Sequence, residues 1–148
     1  MPEQCEMNGL GRLILVIIAA AFVLAGCGQA PGAVAHADTP AHIEPIGETG
    51  LHRITLTERA AQRLGIETAP VVERAGRLAL PYAAVFYDPD GQTWAYTNPD
   101  PNVFIRHPLA VESIDGQEAI LSEGPPVGTA VVTVGVAELY GTEHEVGH

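Results

Sequence analysis

Apolar and polar positions fall into three successive patterns along the chain. Residues 13–24 are an unbroken apolar run, residues 28–50 mix Ala, Pro and Gly with no apolar period, and from His52 onward short alternating bursts are separated by Gly, Pro, Asn and Asp. Ile54 and Leu56 alternate with polar neighbours, which predicts a strand over residues 52–57. Thr57 suits a helix N-cap and Glu58 the positive end of the helix that follows. In residues 58–64, Ala60, Ala61 and Leu64 share a face, and Gly65 suits the left-handed position that ends a helix. Two turns cannot stand alone, so this helix must dock on a sheet. Strand-like runs follow at 66–73, 78–80, 83–87, 93–97, 103–105, 109–111, 119–121 and Ala130–Val134. Ala75-Gly76, Asp88-Pro89-Asp90-Gly91, Asn98-Pro99-Asp100-Pro101-Asn102 and Asp115-Gly116 supply the turns. Pro108 marks its strand as bent or at an edge. The pattern predicts a mainly β fold, a small antiparallel β-barrel or roll with one short α-helix, after an N-terminal signal helix and a disordered tether.

The first apolar run is too short to cross a bilayer, for which a helix needs about 20 residues. It has the length of a secretory h-region, with Arg12 ahead of it and small residues behind. Leu24-Ala25-Gly26-Cys27 resembles the lipobox of bacterial lipoproteins. That resemblance implies cleavage before Cys27 and a diacylglyceryl group on its sulfur, with residues 1–26 as signal peptide. Met7 begins a cleaner leader than Met1, because Glu3 and Glu6 precede Arg12 where positive charge is expected, so translation is expected to start there. Cys5 falls in the leader in either case. A mature chain whose remaining cysteine is Cys27 holds no disulfide and no thiolate metal cluster. Residues 27–52 read as a tether, which as a flexible chain reaches on the order of 25 Å. Gly28 stands where diderm lipoproteins retained in the inner membrane carry Asp.

Charge narrows the partners. Removing Glu3, Glu6 and Arg12 from 18 acidic and 7 basic residues leaves 16 and 6, a mature net charge of −10, with no lysine anywhere. Such a chain has no basic patch with which to neutralise phosphates, which excludes nucleic acid as partner and anionic lipid as an electrostatic dock. Attachment to the membrane is left to the lipid on Cys27, two acyl chains holding stably where one does not.

Catalytic and metal-binding patterns are thin. His144-Glu145-Val146-Gly147-His148 matches H-E-x-x-H, which on a helix would set two imidazoles and a general base around zinc. Gly147 lies inside it and no third ligand follows, so residues 142–148 read as a fraying tail and no metal site is assigned. His36, His42 and His52, in or beside the tether, read as solvated side chains, with loose metal binding as the other possibility. Ser113 and Ser122 lack a nucleophile elbow. Asp88 and Asp90 begin like a calcium loop but lack its later ligands, and serve a turn instead. No phosphate loop or dinucleotide fingerprint occurs. Neither catalytic residues nor a cofactor are assigned, and the expectation is a protein that is not an enzyme.

The folded region carries a more specific likeness. Pro81-Tyr82-Ala83-Ala84-Val85, with Asp88-Pro89-Asp90-Gly91-Gln92-Thr93-Trp94-Ala95-Tyr96 after it, resembles the returning segment of periplasmic adaptor subunits of RND-type efflux pumps, the HlyD-like or membrane fusion proteins. The stretch from Gly124-Pro125-Pro126-Val127-Gly128 to Ala137-Glu138-Leu139 is similar to that family's closing motif, and residues 54–71 are similar to its leading segment. The likeness spans residues 54–141. Family members carry a lipoyl-like domain and a long helical hairpin between the leading and returning segments, and the short connection 73–80 leaves no room for either. Copper- and silver-exporting members pass metal through methionines, and the two here, Met1 and Met7, lie in the leader. The resemblance therefore implies a truncated form limited to the membrane-proximal domain, in residues 53–141. The expected function is an accessory protein, lipid-anchored on the extracytoplasmic face of the cell membrane and docking on a transporter. The alternative is a lipid-anchored protein that binds a solute or a metal.

Overall fold

A computed structural model describes residues 39–145; Cys27, the leader and residues 146–148 lie outside the described residues. Eleven strands among the described residues pair antiparallel in two sheets. The larger sheet runs in the order β1 (Ala41–Pro45), β2 (His52–Leu56), β8 (Val103–Pro108), β7 (Thr93–Asp100), β11 (Ala130–Val134), β3 (Glu67–Pro70), with β6 (Phe86–Tyr87) beside β7. The smaller one runs β4 (Val72–Arg74), β5 (Arg77–Pro81), β10 (Glu118–Glu123), β9 (Ala110–Asp115). Helix α1 spans Glu58–Leu64 and helix α2 spans Val136–Glu145. The mainly β, antiparallel expectation holds, as an open two-sheet arrangement and not a closed barrel.

The chain passes between sheets twice at buried residues next to prolines. Pro70 ends β3 and Val71 leads into β4; Pro108 ends β8 and Leu109 leads into β9. Proline withholds a ladder donor, and pairing runs one residue past each before the strand changes sheets, the Val71 amide donating to the Thr129 carbonyl at 2.8 Å and the Leu109 amide to the Thr93 carbonyl at 2.9 Å. The predicted single strand over 66–73 is for this reason two strands, and the predicted bend at Pro108 is a sheet change. The run 83–87 also differs from expectation. Tyr82–Ala84 is a 3-10 turn that buries Ala84, and only Phe86–Tyr87 is strand.

Side-chain alternation gives two apolar clusters. Neighbours in a strand point to opposite faces, so Ala95 and Tyr96, and likewise Val131 and Val132, serve different clusters. Ala95 and Val131 join Val71, Leu80, Ala84, Leu109, Ala119 and Leu121, which come mostly from the smaller sheet and the sheet crossings. Tyr96 and Val132 join Ile54, Leu56 and Phe104 under Ala60 of α1 and Leu139 of α2. Each fully buried aliphatic side chain contributes about 1.5–3 kcal/mol.

Local chemistry sets the element ends. The Thr57 hydroxyl accepts from the Ala60 amide at 3.2 Å, and Gly65 at φ 62° closes α1, as the sequence predicts. Ala75 (φ 50°) and Gly76 (φ 77°) form the turn of the β4–β5 hairpin, both in the left-handed region that matches strand twist.

Two boundaries need correction. Residues 41–45 were expected in the tether, yet they form β1 in full register with β2, from Ala41 opposite Leu56 to Pro45 opposite His52. Ala41 and Ile43 alternate with His42 and Glu44, Ala41 is buried, and the Pro40 carbonyl accepts from the Thr57 amide at 3.0 Å. The folded domain therefore starts before residue 53. At the other end, residues 142–145 were expected in a fraying tail, and they instead complete α2. That helix starts at Gly135, whose carbonyl accepts from Leu139 at 3.0 Å.

Candidate functional site

The chemistry of the described residues converges on one carboxylate. Val136, Leu139, Tyr140 and Glu143 follow helical spacing on α2, so the stripe facing the sheet carries Glu143 at its last position. Its side chain is fully buried, 0 % exposed. Burying a carboxylate costs several kcal/mol unless partners compensate it, and three are present.

Tyr96 on β7 donates its hydroxyl to Glu143 Oε2 at 2.5 Å. His52, the first residue of β2, places Nδ1 3.2 Å from Oε1. Arg106 on β8 places Nε at 3.2 Å from the same oxygen, at ion-pair distance but outside hydrogen-bond alignment. β2, β8 and β7 are adjacent in the sheet, and so three residues distant in sequence meet under the helix. Burial, then the Glu143 hydrogen bond and its charge, hold the Tyr96 hydroxyl well above the usual tyrosine range. It is a firm donor at any ordinary pH.

A second layer fixes Arg106. Its Nη2 donates to the Gly50 carbonyl at 2.9 Å, and its guanidinium carbon lies 4.7 Å from the centre of the Trp94 ring. Trp94 in turn donates its indole N–H to Asp88 Oδ2 at 2.9 Å. Asp88 Oδ1 accepts from the Asp90 and Gln92 amides at 3.0 and 2.8 Å, the turn role expected of it. Desolvation is the largest single influence on Asp88 and pushes its carboxyl upward. The Trp94 indole, the two amides and the Arg106 charge together outweigh it, leaving the carboxyl below its ordinary value. Phe86 stacks on Tyr96 at 4.9 Å and meets Tyr140 edge-on at 5.6 Å, joining the helix to the hairpin aromatics.

The sequence-predicted residues are placed differently. Cys27, His36 and His148 lie outside the described residues. His42 is exposed on β1, 3.4 Å from Glu44. His52 was read as a solvated tether residue and is instead half-buried against Glu143, because β2 begins there and α2 covers it. His144 is exposed on α2 with its ring 4.3 Å from Tyr140. Ser113 lies on β9 and Ser122 on β10, where its hydroxyl donates to the Ala110 carbonyl at 3.3 Å. Among the described residues no group of three His, Cys, Asp or Glu is arranged to hold a metal. Glu143, Arg106 and Tyr96 were missed as a set. The available signal was an acidic residue in an apolar position, four after Leu139.

With both carboxylate oxygens occupied, the cluster does not present a base to solvent. It fastens a helix to a sheet. Elsewhere, a groove of about 330 Å³ lies between α1 and the β7–β8 turn, lined by apolar Phe104, Ile66, Ala61 and Pro101 and by the polar groups of Gln62, Thr68, Asn98 and Asn102. In comparisons with known proteins, no family model, no curated protein and no solved structure matches the chain.

Proposed function

We propose that the chain is a lipid-anchored extracytoplasmic module that docks on a membrane transporter as an accessory part, built on the plan of the membrane-proximal domain of efflux-pump adaptors. One observation carries the reading: strands from the two ends of the adaptor-like region lie side by side. β3, from the leading segment, pairs with β11, from the closing motif, with Pro70 opposite Ala130 and Thr68 opposite Val132. β7, from the returning segment, lies on the other side of β11, with Thr97 opposite Val131. A module assembled from chain ends is what remains of an adaptor when its central insertions are absent. The tight β4–β5 hairpin stands where those insertions would begin.

The anchor in this reading is the lipid on Cys27. With β1 starting at Ala41, the folded domain begins fourteen positions after Cys27, nearer the anchor along the sequence than a boundary at residue 53 implies. The domain would then work close to the membrane surface. The Cys27→Ser chain tests the anchor: it should leave the membrane fraction with its fold intact, and retention would refute lipid attachment there. Cross-linking of the wild-type chain in native membranes, followed by mass spectrometry, tests the partner. An RND-type or related transporter crosslinked to the domain is expected, and its consistent absence would remove the adaptor reading.

The groove beside α1 favours a second reading, binding of a small uncharged solute, since its volume falls within the range of ligand sites and its polar lining carries no charge. Isothermal titration against neutral polyols and sugars decides that point.

A further inference from the structure

We propose that Arg106, His52 and Tyr96 form a carboxylate-binding site that Glu143 occupies in cis, so that α2 is a latch able to leave the sheet while the rest of the domain stays folded. The receiving groups are held without help from the helix. Arg106 is fixed by the Gly50 carbonyl and the Trp94 ring, and Trp94 by Asp88. His52 and Tyr96 stand on β2 and β7, whose register with their neighbours does not involve α2. The three groups match one carboxylate: a phenolic donor for Oε2, and an imidazole nitrogen with a guanidinium for Oε1.

The helix itself depends on that seat. Its 10 residues are too few for a helix to persist alone, and Leu139 is its fully buried apolar anchor. Gly141 within it lowers its intrinsic stability further. It is also the last described element, joined to β11 through Gly135 at φ 93°. That φ is one L side chains rarely adopt, so glycine suits the reversal that brings α2 over the sheet, and a Cβ there would also displace the tip of Ile66, whose Cδ1 would lie 2.5 Å away. Loss of the carboxylate removes the polar half of the attachment and leaves a cationic seat of carboxylate size. The ligand class the seat takes is a small carboxylate or the side chain of an acidic residue.

The test uses the full chain carrying Glu143→Ala, followed by amide hydrogen exchange in chloride and in acetate at matched pH and ionic strength. In chloride, the amides of α2 should exchange about tenfold or more faster than in wild type, with both sheets unchanged within about twofold. Acetate should restore protection to α2 and leave the sheets as they were. Unchanged protection of α2, joint loss from helix and sheets, or a loss that acetate repairs no better than chloride would each overturn the proposal. If the alanine chain does not fold, Glu143→Gln keeps the shape and removes the charge. Faster exchange confined to α2 then supports the latch. Unchanged exchange, or failure of this chain to fold as well, overturns it.

Discussion

The two faces of the larger sheet are filled by opposite means. Between the sheets, Val71, Leu80, Ala84, Ala95, Leu109, Ala119, Leu121 and Val131 make an apolar layer in which alanines let the backbones approach. Under the helices, larger residues such as Tyr96, Ile54 and Phe104 surround a seat that ends in Glu143. The first face is held by shape, which many apolar side chains of similar volume could supply. The second is held partly by charge, and a buried ion pair adds little beyond what apolar residues of equal size give. What it adds is selectivity: an apolar helix could settle on the sheet in several registers, whereas the Glu143 carboxylate has one place where three partners meet. The inter-sheet layer therefore makes the domain stable, and the cluster decides how its last helix lies.

Substitutions in the two faces should separate these roles. The largest effect is expected for Arg106→Ala, which leaves Glu143 buried against a single half-exposed imidazole and a phenol. It should cost about 3–5 kcal/mol in urea unfolding. The paired change Arg106→Met with Glu143→Leu should recover most of that loss, and a pair no better than the single variant would contradict the account of the cluster. Next comes Leu121→Ala between the sheets, at about 2–5 kcal/mol according to how far the cavity collapses. Here no second-site change of charge should help, and salt should not alter the difference from wild type. The smallest is Tyr96→Phe, which takes one donor from Glu143 and should cost about 1–3 kcal/mol. It also has a pH signature. Tyr96 holds its proton more tightly folded than unfolded, so its contribution is complete below the ordinary tyrosine value of 10.0 and is lost as pH rises beyond it. Wild-type stability should fall faster above that pH than stability of the phenylalanine chain. Parallel curves would show that the phenol is not held by the carboxylate.

Short-range features were the legible part of the fold. Thr57, Glu58 and Gly65 mark the helix α1 because caps act within a few residues of themselves. Asp88-Pro89-Asp90-Gly91 marks its turn because Asp88 bonds to amides two and four residues on. β1 was obscured by its setting: Pro40 and Pro45 bracket it, and the Ala- and Pro-rich composition around it is that of a linker. Its alternation is only Ala41, His42, Ile43, Glu44, and what makes it a strand is the edge of β2. α2 was hidden by Gly141 and by an acid in its apolar stripe. An acidic residue reads as solvent-facing unless its partners are known, and those of Glu143 lie 47 and 91 positions away at Tyr96 and His52. The alternating apolar runs and their turns indicated the β elements, but not that a buried charge would fasten α2 to them.

The turn at Ala75-Gly76 turns a topological detail into an opening for engineering. It sits at the tip of β4–β5, where β4 forms one margin of the smaller sheet. A guest segment placed between these two residues would meet only the end of one hairpin, because the register from Val72 opposite Ala79 to Arg74 opposite Arg77 lies behind it. The entropy of closing a loop grows only with the logarithm of its length, by about 0.6 kcal/mol for each doubling. The domain can therefore host a large insert there at little thermodynamic cost, provided the ends of the insert lie as close together as the two strands do.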